Sequence, residues 1–188
     1  MKKYLILARH SLPKIVEGMP AREWNLSDEG RARSQRLAER LTKYKPDFLV
    51  SSVELKAKET AEIIAVKHGL ELRIIEGLHE HDRGELSYIS VDRFQATVHD
   101  FFERPDELVF GSETANQAHA RFNRAVQSVL NYLENKTIVI VTHGTVIALF
   151  VSRLIGISDK LFWNDLGLPS FVVIDMQDVA LIKQENII

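Results

Sequence analysis

Apolar residues in this chain come in short runs that end abruptly in polar pairs. Tyr4-Leu5-Ile6-Leu7-Ala8 stops at Arg9-His10, and Thr137-Ile138-Val139-Ile140-Val141-Thr142 stops at His143-Gly144. Runs of this length with no polar alternation read as strands buried on both faces. Phe48-Leu49-Val50 is a shorter one ending in Ser51-Ser52, and Leu70 to Ile75 reads as another. Helical spacing fills the intervals. Ser27 caps a helix whose first turn carries Asp28 and Glu29, and whose apolar face is Leu37, Leu41 and Tyr44, with Pro46 as its break. A second helix runs from about Glu54 to His68, with Ala57, Ala61, Ile64 and Ala65 at core spacing and Gly69 as its stop. Glu76 to Ser90 is polar and irregular. Val91 to Glu103 is helical, and Pro105 ends it. Gly111-Ser112-Glu113-Thr114 opens a long helix to about Asn135, striped by Ala118, Phe122, Ala125, Val129 and Leu133. A helix from Thr145 to Leu154 is closed by Gly156, and Phe171–Ile174 with Ala180–Ile182 form a hairpin around Gln177-Asp178.

Strands alternate with helices for three-quarters of the chain, and two strands pair at its end. That order predicts an α/β fold, a single-domain three-layer α/β/α unit over residues 1–188. Its central sheet is mostly parallel, with an antiparallel edge strand. The length of 188 residues is enough for one sizeable core. A net charge of -2 argues against nucleic acid as a partner held by bulk electrostatics. The absence of cysteine removes disulfides, thiolate nucleophiles and thiolate metal sites, and fits a reducing compartment. Lys2-Lys3 followed by apolar residues imitates a signal peptide, but the run before Arg9 is shorter than the roughly 7–15 residues such a segment needs. No stretch approaches a membrane span. The reading is a cytoplasmic protein with no membrane partner, and nothing in the sequence speaks to oligomeric state.

Strand ends are where open α/β sheets bind ligands. Four polar clusters follow, or sit near, strands: Arg9-His10, Ser52 to Lys56, His79 to Arg83, and His143-Gly144. Together they offer two imidazoles, cations, a carboxylate and backbone amides at helix starts. Neither familiar glycine-rich phosphate loop is present. The set suits an anionic tetrahedral group: cations and helix N-termini balance its charge, an imidazole attacks it, and a carboxyl protonates the leaving oxygen.

With these clusters in view, the chain resembles the histidine phosphatase, or phosphoglycerate-mutase-like, superfamily. Arg9-His10 sits where the family has Arg-His-Gly. Leu26-Ser27-Asp28-Glu29-Gly30 is similar to Leu-Thr-x-x-Gly. Ser52-Val53-Glu54-Leu55-Lys56-Ala57-Lys58-Glu59-Thr60-Ala61 resembles Ser-Pro-Leu-x-Arg-Ala-x-Gln-Thr-Ala. Leu78 to Gly84 fits Leu-x-Glu-x-x-x-Gly, Gly111 to Thr114 with Arg121 resembles Gly-Gly-Glu-Ser and its arginine, and Val141 to Ile147 resembles Val-Ser-His-Gly-Gly-Val-Ile. The resemblance implies a metal-independent phosphatase, with no cofactor, acting on a small phosphorylated substrate. His10 would be the nucleophile that becomes phosphohistidine, and Glu80 the general acid and base. Arg9, Lys56, His143 and Gly144 would hold the phosphoryl group. His10 must be neutral to attack, so its other ring nitrogen should donate to a fixed acceptor such as a backbone carbonyl.

Several positions depart from the pattern. Lys56 replaces an arginine, exchanging a planar fork for one compact charge. Ser11 replaces the glycine after the nucleophile, Pro13 replaces a hydroxyl residue, and Val53 replaces a proline. The first three motivate an alternative: a weakly active or inactive phospho-ligand-binding or regulatory module of the same fold. A mutase-type phosphotransferase is a further alternative. His79-Glu80-His81-Asp82 could imitate a metal site, yet a polar loop at the pocket rim is the plainer reading. Arg22, Arg31, Arg33 and Arg36 read as surface charge, and Trp24 and Trp163 as packing. The stretch from His10 to Pro20 and that from Leu86 to Glu107, with Tyr88, Phe94, Phe101 and Phe102, would cover the site and set specificity.

Overall fold

A computed structural model describes residues 3–83, 91–133 and 136–188. Among them six strands form one sheet: β1 (Tyr4–Arg9), β2 (Phe48–Ser51), β3 (Leu72–Ile74), β4 (Ile138–Thr142), β5 (Ser170–Asp175) and β6 (Ala180–Asn186). Their order across the sheet is β3-β2-β4-β1-β5-β6. The two longest apolar runs are therefore central neighbours. They pair in parallel with Arg9 opposite Thr142, and β2 pairs with β4 with Ser51 opposite Val141. Three strands thus end at one edge of the sheet. β5 runs antiparallel to β1, and β6 antiparallel to β5, so the reversed strand lies one place in from the margin.

The helices are α1 (Asp28–Leu41), α2 (Leu55–His68), α3 (Val91–Glu103), α4 (Ala115–Tyr132), α5 (Gly144–Ile155) and α6 (Asp159–Asp165). Along β4, Ile138 and Ile140 face a core with Phe101, Phe122 and Leu149, while Val139 and Val141 face a core with Leu37, Ala61 and Ile64. The strand carries no polar alternation because both its faces are covered, by α3 to α6 on one side and by α1 and α2 on the other. Each such aliphatic side chain, wholly buried, contributes about 1.5–3 kcal/mol.

The start signals act as read. Ser27 accepts the Gly30 amide, and Thr114 with Gln117 forms a reciprocal capping box at the head of α4. Gly69 and Gly156 close α2 and α5 in the left-handed region, at φ 65 and 74. The first helix ends at Leu41 and tightens into a 3-10 turn over Thr42–Tyr44 before Lys45 turns left-handed at φ 48. The α4 helix ends at Tyr132, while Asn135 falls outside the described residues, as do Gly84, Leu86 and Tyr88. One helix, α6, has no counterpart in the sequence reading. It is seven residues long, capped by Ser158, and buries Phe162 and Trp163. That is too short for a helical period to emerge. Phe101 and Phe102 belong to the core, and among the described residues no helix is long and apolar enough to cross a membrane.

Candidate active site

His10 follows β1 directly, and its backbone amide still bonds across to the Thr142 carbonyl at 2.8 Å. Its ring is buried, with Nδ1 2.7 Å from the Ser11 carbonyl oxygen. A carbonyl only accepts, so Nδ1 carries the proton and Nε2 keeps its lone pair. Burial, followed by the His143 ring, Lys56 and Arg9, holds His10 well below the ordinary imidazole value of 6.5. The neutral, nucleophilic form is the resting one.

His143 follows β4 directly, at the N-cap of α5, with its ring centroid 5.1 Å from that of His10. It is wholly buried, and burial together with Lys56 holds its pKa well below 6.5. Its Nε2 lies 2.8 Å from Ser52 Oγ and 3.5 Å from Glu54 Oε1. Gly144 opens α5 against the Arg9 guanidinium: a Cβ there would stand 2.9 Å from Arg9 Cζ. Arg9 Nη1 donates to the Leu166 carbonyl at 2.7 Å, while its buried Nε has no hydrogen-bond partner among the described residues. Burial lowers Arg9 to about 10, with Glu80 opposing, so it remains cationic at neutral pH.

Lys56 projects from the first turn of α2 and is buried. Its ammonium donates to the Ala21 carbonyl at 2.7 Å and to Glu54 Oε2. Glu80 lies on the loop after β3. Its carboxylate accepts the Thr145 and Val146 amides at the head of α5, at 3.2 and 3.3 Å, and the Arg83 guanidinium at 3.3 Å. Burial works to raise the Glu80 pKa, but Arg83, His143 and the His81 amide outweigh it and hold the carboxyl below the usual range. Arg83 in turn stacks on the Phe94 ring, 4.5 Å from its centroid.

The supporting structure is largely polar. Arg121 of α4 donates to the carbonyls of Gly77, His79 and Glu80 at 2.8 to 3.1 Å and pairs with Glu113, fixing the loop that presents Glu80. The Ser11 amide donates to Thr60 Oγ1 at 3.0 Å. Glu59 accepts the Leu26 amide at 2.7 Å and the Asn25 amide group at 2.6 Å. The segment after His10 is thereby tied to α2, and Pro13 pairs with Leu26 in an isolated bridge.

Arg9, His10, Lys56, Glu80, His143 and Gly144 therefore converge on one edge of the sheet. His81 does not join them. Its Nε2 is 3.0 Å from the Glu113 carbonyl and its ring packs between Phe101 and Phe110. No group of three or more ligating side chains suited to a metal occurs among the described residues. Ser52, Glu54 and Arg83 lie within the polar clusters read from the sequence, but that reading gave them no individual role. Glu54 had one visible signal, an acid where the similar motif has leucine, two residues before Lys56.

The sequence profile of the histidine phosphatase superfamily (branch 1) matches residues 5–181. Phosphoglycerate mutase-like protein 4 of Arabidopsis thaliana is 35% identical over 136 residues, which cover 68% of this chain. The match spans 59% of that relative's length. Phosphoserine phosphatase 1 of Hydrogenobacter thermophilus is 26% identical over 192 residues, 93% of this chain and 87% of that protein. A crystal structure of an Entamoeba histolytica phosphoserine phosphatase variant bound to phosphoserine superposes with a TM-score of 0.77 at 21% identity, covering 97% and 96% of the two chains.

Proposed function

The chain belongs to the histidine phosphatase superfamily, branch 1, and from that premise we propose that it is a metal-independent phosphatase. It hydrolyses small phosphate monoesters through a phosphohistidine on His10. The observation that carries this reading is the His10 ring, held as its Nδ1–H tautomer by the Ser11 carbonyl beside two cations and a carboxylate.

Nε2 of His10 attacks phosphorus, and the bond to the ester oxygen breaks in line. Arg9, Lys56, His143 and the start of α5 at Gly144 hold the phosphoryl oxygens as charge builds on them. Glu80 gives a proton to the departing alcohol oxygen. An arriving phosphate sets a second anion beside the Glu80 carboxylate, which raises its affinity for that proton. A monoanionic phosphate can deliver it. Glu80 then takes a proton from the water that attacks phosphorus; the bond from phosphorus to Nε2 breaks, its electron pair returns to the ring, and phosphate and neutral His10 are restored. The names of relatives point to phosphoserine and 3-phosphoglyceric acid as first substrates to try.

One observation favours a binding module with little turnover: the Lys56 ammonium is already engaged by Glu54 and Ala21. Hydrolysis of an aryl phosphate in the presence of chelator separates the two. Turnover in the wild type that falls by about a thousandfold or more in His10→Ala supports the phosphatase. Equal rates in both proteins would remove His10 from the mechanism.

A further inference from the structure

Glu54 stands at the N-cap position of α2 but makes no side-chain cap bond. Its carboxylate is turned inward instead and is 9% exposed. Oε2 accepts from Lys56 Nζ, Oε1 accepts the Glu80 amide at 2.9 Å, and Oε1 lies 3.5 Å from Nε2 of His143. Two donors, Lys56 and the Glu80 amide, thus converge on one buried carboxylate, with the His143 ring, whose Nε2 bonds to Ser52 Oγ, beside it. Lys56 and His143 are groups assigned above to the phosphoryl oxygens. The similar family motif has leucine at this position and arginine at 56, so acid and lysine depart from it together.

An ammonium has three donors, and Ala21 and Glu54 take two of those on Lys56. An incoming phosphate must share Lys56 with an anion already in place beside His143. Two anions in one buried site repel strongly, and one of them gains a proton or moves. The groups facing Glu54 are Lys56 on α2, the Glu80 amide and carboxylate on the loop after β3, His143 at the end of β4, and His10 at the end of β1. Burial opposes ionisation of Glu54, but Lys56 and the Glu80 amide hold its pKa below the usual range, so it is an anion at rest.

We propose that Glu54 is a specificity-determining residue, a resident anion of the phosphate site. It competes with the phosphoryl group for Lys56, beside His143, and it couples binding of a phosphate dianion to uptake of a proton. The site would then prefer protonated or lightly charged phosphate groups and release product phosphate readily. This rests on the phosphatase reading, which places the phosphoryl group among these donors.

The test is the affinity of inorganic phosphate for the whole protein, measured by calorimetry in buffers of differing ionisation enthalpy. Glu54→Gln keeps the shape and an acceptor for Lys56 but removes the charge. It is expected to bind phosphate at least about tenfold more tightly above neutral pH, with the gap narrowing in acid. The wild type is expected to take up protons on binding, and Glu54→Gln to take up fewer. Glu54→Leu, the family residue, should also bind more tightly. Equal or weaker affinity in the folded variants, or no proton uptake in the wild type, would overturn the proposal. Aryl phosphate hydrolysis by the wild type tells the failures apart. Hydrolysis with no gain in affinity sinks the role of Glu54 alone, whereas neither hydrolysis nor phosphate binding in any of the three proteins sinks the phosphatase reading with it.

Discussion

The proton on His10 Nδ1 is fixed by an acceptor that belongs to the next residue of its own backbone. That local bond orients the ring without a carboxylate and favours a higher pKa, but burial, followed by His143, Lys56 and Arg9, outweighs it, so the imidazole is neutral. In the proposed mechanism the acid limb of kcat/KM therefore does not report His10 at 6.5. It is expected to lie well below that value, measured with an aryl phosphate, and a limb at 6.5 would contradict the buried-neutral assignment. Lys56 is the other residue whose neighbours decide its part. An arginine at 56 would regain a two-pronged grip on phosphate, but a buried Glu54 would hold part of that fork. Lys56→Arg alone is expected to raise kcat/KM modestly. Lys56→Arg combined with Glu54→Leu is expected to exceed the product of the two single effects, a coupling that a double-mutant cycle measures.

Two helices place the site from a distance. Arg121 on α4 ties down the carbonyls of Gly77, His79 and Glu80 and closes on Glu113. Arg121→Ala leaves those carbonyls and Glu113 without their partner. It is expected to destabilise the fold by about 2–4 kcal/mol in urea titration and to lower kcat more than it raises KM. The α5 helix works by absence of a side chain. A Cβ on Gly144 would press on the end of the Arg9 side chain, not on backbone, so Gly144→Ala is expected to fold with little change in Tm while Arg9 is displaced. Phosphate affinity should fall by about tenfold. A Cβ on Gly30 is a different matter, because it would stand 2.1 Å from the Leu12 carbonyl oxygen of the loop that follows His10. Retained affinity in Gly144→Ala would mean that Arg9 does not need its present place.

Across the whole molecule, burial of two neutral imidazoles links stability to pH. Both His10 and His143 have folded pKa values below the ordinary 6.5, so below about that pH the unfolded chain binds more protons than the folded one. Stability is expected to hold above pH 6.5 and to fall as the pH drops through it, with Glu54 and Glu80 adding further loss below the carboxylate range. Urea midpoints that stay level between about pH 7 and 5 would contradict this. The same scale shows what the sequence could carry. The apolar runs of β1 and β4 lack alternation because both faces are covered, which made the central strands and their polar ends readable, and Ser27 and Thr114 marked helix starts by their own chemistry. Seven-residue α6 gave no period to detect. Glu54 stood in a candidate cluster and differed from the similar motif, but its role could not be read because it lies in contacts with Glu80 and His143, distant in sequence and brought together only by the sheet. The central claim, that His10 carries the phosphoryl group, is met most directly by rapid quenching of turnover into base, followed by mass analysis of the peptide spanning β1. Base-stable, acid-labile phosphate on His10, absent from His10→Ala, is the expected result. Turnover with no trapped phosphate on that peptide, and undiminished in His10→Ala, would contradict it.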